Sequence, residues 1–175
     1  MKNATWNDCV AFHGHSCGGL TIGWKAALYA IELLELKFSD DEEVCCICEN
    51  DACCVDAIQV MLGCSAGKGN LMFHLTGKMA FSFYERSSGK SVRLMLKPRP
   101  EGMSRQESFD YYQGLEPRDM FDVKPVKMPL PEGARGFENC VCAECGEEFA
   151  ECYAHLVGGR TLCRDCYRPY TRYDV

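Results

Sequence analysis

The sequence predicts an α+β fold, on two observations: runs with helical spacing are interspersed with short β-compatible runs, and two of those runs flank a hairpin turn. A third observation, fourteen cysteines in 175 residues falling in two blocks, predicts a small cysteine module behind the main domain. The first helix is expected over about 19–36. Leu20, Trp24, Ala27, Ile31 and Leu34 recur at helical spacing, Thr21, Lys25 and Glu32 fill a narrow polar sector, and Ile22, Tyr29 and Leu33 lie on its other flank. A helix apolar over most of its circumference is buried against two partners, here a sheet and either another helix or a second copy of the chain. A homodimer through this helix is therefore one expectation. Residues 43–49 (EVCCICE) read as an interior strand and 52–62 as a helix opened by Asn50 and Asp51; a strand is expected at 71–75. Met79, Phe81 and Phe83, then Val92, Leu94 and Leu96, alternate with smaller or polar residues around Ser-Ser-Gly-Lys, which suits a hairpin. Ser104 and Glu107 form a capping box for a helix reaching about Gln113.

With 47% hydrophobic and 25% charged residues, the chain reads as globular rather than disordered. Its net charge of −6 disfavours coating of nucleic acid or anionic membrane by bulk electrostatics. No apolar run approaches the ~20 residues that span a bilayer. The opening residues lack the basic and apolar regions of a signal peptide, so a reducing cytoplasm is the expected location. In that compartment clustered cysteines are metal ligands, redox groups or buried thiols before they are disulfides. The two cysteine blocks are separated by a cysteine-free span from Ser65 to Asn139, in which most of the prolines lie. We expect a core domain over 1–122, a proline-stiffened linker over 123–136 and a cysteine finger over 137–175.

In that finger, Cys142-Ala-Glu-Cys145 and Cys163-Arg-Asp-Cys166 are two C-x2-C pairs separated by 17 residues, within the spacing of zinc sites. Four thiolates close a tetrahedron, which marks a structural zinc rather than a catalytic one. Some 40 residues bury too little to fold unaided, so the metal is expected to organise them. Cys140 and Cys152 fall outside the pattern. The run RDCYRPY suggests a short closing helix, as in a treble-clef finger. From Gly136 onward four arginines face seven carboxylates, which favours a protein-contacting or capping role over nucleic acid.

Before the first helix, His13, His15 and Cys17 place three soft-metal donors within five residues at a glycine-loosened turn. Two readings are open: a metal centre with a free position, or a helix cap with a surface histidine and a buried thiol. Glu49 to Asp56 forms a second cluster at a strand-to-helix turn, where α/β sites collect. There Cys53 would sit at a helix N-terminus with a lowered pKa. The segment 63–70 (GCSAGKGN) departs from the Walker spacing, although a Gly-rich loop with Lys68 can hold an anion.

Taken together, FHGHSCGGL, ENDACCVDAIQVMLGC, GKGNL and TGKMAF resemble the FmdE family of formylmethanofuran dehydrogenase proteins, over roughly residues 9–100. The resemblance implies a thioredoxin-like mixed sheet flanked by helices, a metal-binding site in the core, and in some members a treble-clef finger behind it. The family's H-G-H-x-C falls on His13, His15 and Cys17, its D-A-C on Asp51, Ala52 and Cys53, and its G-C-[TS]-x-G-K-G on Gly63, Cys64, Ser65, Gly67, Lys68 and Gly69. Gly18 stands where proline is usual and loosens the turn. Cys54 stands where glycine is common and adds a vicinal thiol able to compete for metal or form a redox pair. The implied function is an accessory or subunit of an oxidoreductase of anaerobic one-carbon, molybdenum- or tungsten-dependent metabolism. In that reading His15, Cys17 and Cys53 hold zinc or another soft transition metal, and His13, Asp51, Cys53 and Lys68 are the candidate catalytic groups. The competing classes are a metal-free thiol redox protein and a non-enzymatic adaptor that works through its finger.

Overall fold

The computed structural model describes residues 4–173. The chain divides into two compact units, Met1–Ala134 and Arg135–Val175. The first unit opens with α1 (Trp6–His13), started by a capping box between Thr5 and Asp8 and ended by Gly14 in the left-handed region. Then follow α2 (Gly18–Leu34), β1 (Val44–Cys48), α3 (Cys54–Leu62), β2 (Leu71–Phe73), β3 (Ala80–Glu85), β4 (Ser91–Leu96), α4 (Arg105–Gly114), α5 (Pro117–Met120) and β5 (Phe121–Lys124). The five strands form one sheet in the order β2-β1-β3-β4-β5. β1 and β2 are parallel, joined by α3, and all other neighbours are antiparallel.

Side chains alternate across a strand, so each strand feeds two faces. Val44, Cys46 and Cys48, with Leu71, Phe81, Phe83, Val92, Leu94 and Phe121, pack with buried residues of α1 to α4 into the main core. The opposite face carries Cys45, Ile47 and Tyr84, covered by Met72, Val126 and Met128. It also holds a buried ion pair between Glu49 and Arg93, which keeps the Glu49 carboxyl below its ordinary range. The helices therefore gather on one face instead of flanking both.

The cover on the second face comes from the proline-rich segment, expected to be a linker. Val123 and Lys124 complete β5 beside β4. Beyond them Tyr84 Oη donates to Met128 O at 2.9 Å, Arg86 Nη1 to Pro131 O at 2.7 Å, and Ala134 N to Glu42 at 3.0 Å. Residues 126–134 are thus a strap laid along the sheet.

The long helix α2 finds its covers within the chain, against α1, α3, α4, α5 and β4. Thr21 and Lys25, the expected polar sector, are buried under the end of α4: Gln113 Nε2 donates to Thr21 Oγ1 at 2.8 Å and Lys25 Nζ to Leu115 O at 2.7 Å. Contact with α3 is close enough to require glycine. A Cβ on Gly23 would stand 1.9 Å from the carbonyl oxygen of Cys54. Gly23→Ala is accordingly expected to destabilise the first unit by about 3 kcal/mol, the upper end for overpacking, by forcing the two helices apart. Urea unfolding checks this, and a midpoint equal to that of the unsubstituted chain contradicts it.

The second unit contains two hairpins, β6 (Asn139–Val141) with β7 (Glu148–Ala150), and β8 (His155–Val157) with β9 (Arg160–Leu162). The helix expected after Cys163 is only a turn. A helix there would send the Asp165 carbonyl to the N–H of residue 169, which is proline and has none. Arg168 Nη1 takes that carbonyl instead, at 2.6 Å. Among the described residues no helix is long and apolar enough to cross a membrane.

Candidate metal centres

Three element ends meet in the first unit. His13 is the last residue of α1, Cys17 caps α2, and Cys53 precedes α3. Gly14, with φ of 89°, reverses the chain between the first two. Cys17 then serves as the N-cap through its sulfur, which accepts the Leu20 N–H at 3.3 Å. Donor atoms of His13, Cys17 and Cys53 all lie within 4.8 Å of one another, with His13 Nε2 at 3.9 Å from Cys17 Sγ. Ligands bound at ~2.1 and ~2.3 Å to a tetrahedral zinc stand roughly 3.6 Å apart, so the spacing suits a soft divalent ion. Space is reserved as well: a Cβ on Gly19 would lie 3.1 Å from Cys53 Cβ, 3.7 Å from Cys53 Sγ and 3.9 Å from Cys17 Sγ.

The histidine is oriented from behind. His13 Nδ1 lies 2.7 Å from Asp56 Oδ2, and its side chain is 11% exposed. A carboxylate on one ring nitrogen fixes the tautomer that leaves the other free for metal. Burial, and secondarily the Cys17 thiol, push the Cys53 pKa up. The lowered value expected from a helix N-terminus is therefore not found: Cys53 lies before the first turn of α3 and makes no capping hydrogen bond. Cysteine binds a metal as the thiolate, so a cation taking this space would draw the proton from Cys53.

Of the two histidines, His13 is the one whose ring nitrogen lies with the two sulfurs, while His15, the histidine expected beside Cys17 and Cys53, lies outside that group, exposed, with its ring 4.5 Å from that of His13. Gly14 is the reason, since the turn it makes sends the two rings out of equivalent positions. The carboxylate beside the His13 ring is that of Asp56, one helical turn beyond Cys53; Asp51 is exposed on the rim of the hollow that His13 and Cys53 line. That i, i+3 relation was the available signal for Asp56.

Lys68 is occupied elsewhere. Its Nζ donates to Ser39 O at 2.8 Å and Asp40 O at 3.4 Å, and nearby Asn70 Nδ2 donates to Asp41 O and Val44 O. The Gly-rich loop thereby ties the 39–44 segment to β1. Cys54 turns into the core, its thiol donating to Asn50 Oδ1 at 3.0 Å, and burial pushes its pKa up to about 12. It does not pair with Cys53. Cys9 and Cys64 are likewise buried, at about 11 and about 12.

In the second unit the donor atoms of Cys142, Cys145, Cys163 and Cys166 lie within 4.8 Å of one another. Cys142 and Cys145 sit on the turn between β6 and β7, with the Gly146 N–H bonded to Cys142 O at 2.9 Å. The second pair follows β9, with Tyr167 N bonded to Cys163 O at 2.9 Å. The Cys163 N–H donates to Cys142 Sγ at 3.4 Å and, with other backbone donors, brings that thiol's pKa down to about 6. Cys166, crowded by its three neighbours and by Cys163 first, is pushed up to about 12. Cysteine binds a metal as the thiolate, and the number and spacing of these four sulfurs suit a metal such as zinc. Cys140 and Cys152 lie outside the group.

These features define an α+β protein carrying two sulfur-rich ligand sets, one with three donors and one with four. The family model for "FmdE, Molybdenum formylmethanofuran dehydrogenase operon" matches residues 12–119. The chain belongs to the FmdE family. It is 28% identical over 168 residues to a probable S-adenosyl-L-methionine-binding protein of Archaeoglobus fulgidus, an alignment covering 78% of this chain and 46% of that protein. The chain thus spans about half the length of that curated relative. In fold it is similar to the crystal structure of a tungsten formylmethanofuran dehydrogenase FmdE-like protein from Syntrophus aciditrophicus, with a TM-score of 0.67 at 24% identity over 90% of this chain and 86% of that one.

Proposed function

We propose that this chain is a cytoplasmic metal-binding accessory protein or subunit of a formylmethanofuran dehydrogenase-type oxidoreductase, in anaerobic one-carbon metabolism. Its core holds zinc or another soft transition metal on His13, Cys17 and Cys53, and its finger holds a structural zinc. The observation that carries this reading is the convergence of three element ends on one space, with Asp56 behind the histidine. Three protein donors leave one tetrahedral position for an outside ligand, which is the arrangement of a reactive centre rather than a structural one. Such an ion would supply Lewis-acid chemistry at that position. The residues around it orient the imidazole and set the ligand positions. The family's dehydrogenase operon and the tungsten enzyme named for the structural relative support the pathway. The strand order, with β1-α3-β2 parallel and the β3-β4 hairpin beside β1, supports a thioredoxin-like core. The knuckle, hairpin and closing turn of the second unit support a treble clef whose helix is reduced to one turn.

Asp56→Asn tests the arrangement. The amide keeps the shape but not the charge on His13, and loss of such a partner lowers metal affinity roughly 10- to 100-fold. Competition against a chromophoric chelator reads it. An unchanged affinity would show that the Asp56 charge has no part in the centre.

A docking role for the finger is favoured by one further observation. Leu156 is 76% exposed and Val141 58%, with Val157 at 42%, a large apolar share for so small a unit. A protein partner, rather than nucleic acid, suits that surface.

A further inference from the structure

The three-donor centre is reached from two sides of opposite charge. One hollow, about 400 Å³, contains His13 and Cys53 together with the carboxylates of Asp51 and Asp56. The other, about 610 Å³, is floored by Cys17, Gly19 and Cys53, walled by Ile22, Met79, Leu96 and Met103, and carries Arg99 and Arg105. Both arginines are exposed, and neither is in an ion pair among the described residues. The nearest acid in sequence to Arg105, Glu107, is committed to the Ser104 N–H at 2.8 Å. In a chain of net charge −6, two uncommitted guanidinium groups on one cleft are a local reversal of sign. Arg105 also borders the adjoining hollow that contains His15, Cys17 and Phe109, so its reach covers the approach to the Cys17 side.

Guanidinium pairs recognise carboxylates and phosphates through planar, paired hydrogen bonds. The apolar and thioether wall excludes a small hydrated ion as the preferred guest and accommodates a carbon chain. We propose that this cleft is the substrate site of the core centre, and that it takes an organic anion whose carboxylate or phosphate is held by Arg99 and Arg105. The apolar body of that anion lies along Ile22, Met79 and Leu96 and brings its far end to the Cys17–Cys53 side of the centre. The site rests on the metal reading above only for that last contact. The arginine and apolar contacts stand without it.

The test uses the full chain, purified anaerobically, titrated calorimetrically with hexanoate and with hexyl phosphate; hexanol and hexylammonium are the controls. At least one anion is expected to bind, and neither control. Arg99→Met with Arg105→Met should weaken the bound anion at least roughly tenfold, as loss of charge-assisted bonds does, with the melting temperature unchanged because both positions are exposed. The stronger of the two anions identifies the head group. Equal binding of hexanol, or an unaltered affinity in the double variant, overturns the cleft. A cobalt-loaded chain gives the second readout: the bound anion should shift the thiolate–cobalt absorption, and an unshifted spectrum overturns the placement beside the centre. Metal analysis of the same sample separates the two ideas, since a core without metal sinks the metal reading while the arginine-dependent affinity still decides the cleft.

Discussion

Replacing Cys163 and Cys166 with serine is expected to unfold the C-terminal unit and leave the first unit intact. The reason lies in what that unit buries. Among its described residues only Cys142 and Leu162 are buried, and its two hairpins have three residues per strand. Isolated two-stranded hairpins are marginal in water, and so small a segment lacks the area to offset its chain entropy. Metal coordination by four thiolates supplies on the order of 10–16 kcal/mol in such modules, which is the whole of their stability. The expected result is loss of amide protection across residues 139–162 in hydrogen exchange, with β1 and β3 as protected as before. Retained protection in the hairpins would show that contacts other than the metal fold them.

The second large effect belongs to the core centre. Cys53→Ser removes one of its two sulfurs, and the remaining His13 and Cys17 cannot hold a soft ion at nanomolar competition. The affinity should fall by several orders of magnitude, a change comparable to losing a thiolate ligand outright. Cys17→Ser should do the same, and it is the cleaner variant. Cys17 caps α2 through its sulfur, and serine is a better N-cap than cysteine, so the helix start survives while the ligand is lost. A fall in metal content with an unchanged melting curve for the metal-free chain therefore isolates coordination from folding.

Much of the fold was legible in the sequence because its elements are long or well punctuated. The apolar circumference of α2, the fully buried β1, the β3-β4 alternation and the Ser104–Glu107 capping box each carry a local signal that the structure repeats. Helix α1 has a capping box of the same kind, Thr5 with Asp8, but it has eight residues, of which only Cys9 is buried, too few to establish a period. Strand β5 is hidden between Pro117 and Pro125, and only its first residue is buried. The strap over the second sheet face is held largely through its backbone carbonyls by Tyr84 and Arg86, and carbonyls have no sequence signature.

At the sites, legibility followed geometry. The four finger cysteines are specified by spacing alone, since a C-x2-C turn places both sulfurs on one side whatever follows. The core centre depends on where three separate element ends meet, and spacing cannot show that. Which of His13 and His15 turns inward is decided by a single left-handed glycine between them. Which carboxylate reaches the imidazole is decided by one turn of α3. Lys68 has the right chemistry for an anion, but the loop that bears it folds back on the carbonyls of Ser39 and Asp40.

The most direct test is a metal count on the full chain purified without oxygen, set beside Cys17→Ser and a variant with the finger cysteines replaced. The unsubstituted chain should carry about two equivalents of soft metal, and each variant about one, the two losses being independent because the ligand sets share no residue. A single equivalent that survives Cys17→Ser and vanishes with the finger cysteines would mean that His13, Cys17 and Cys53 are neighbours without an ion between them.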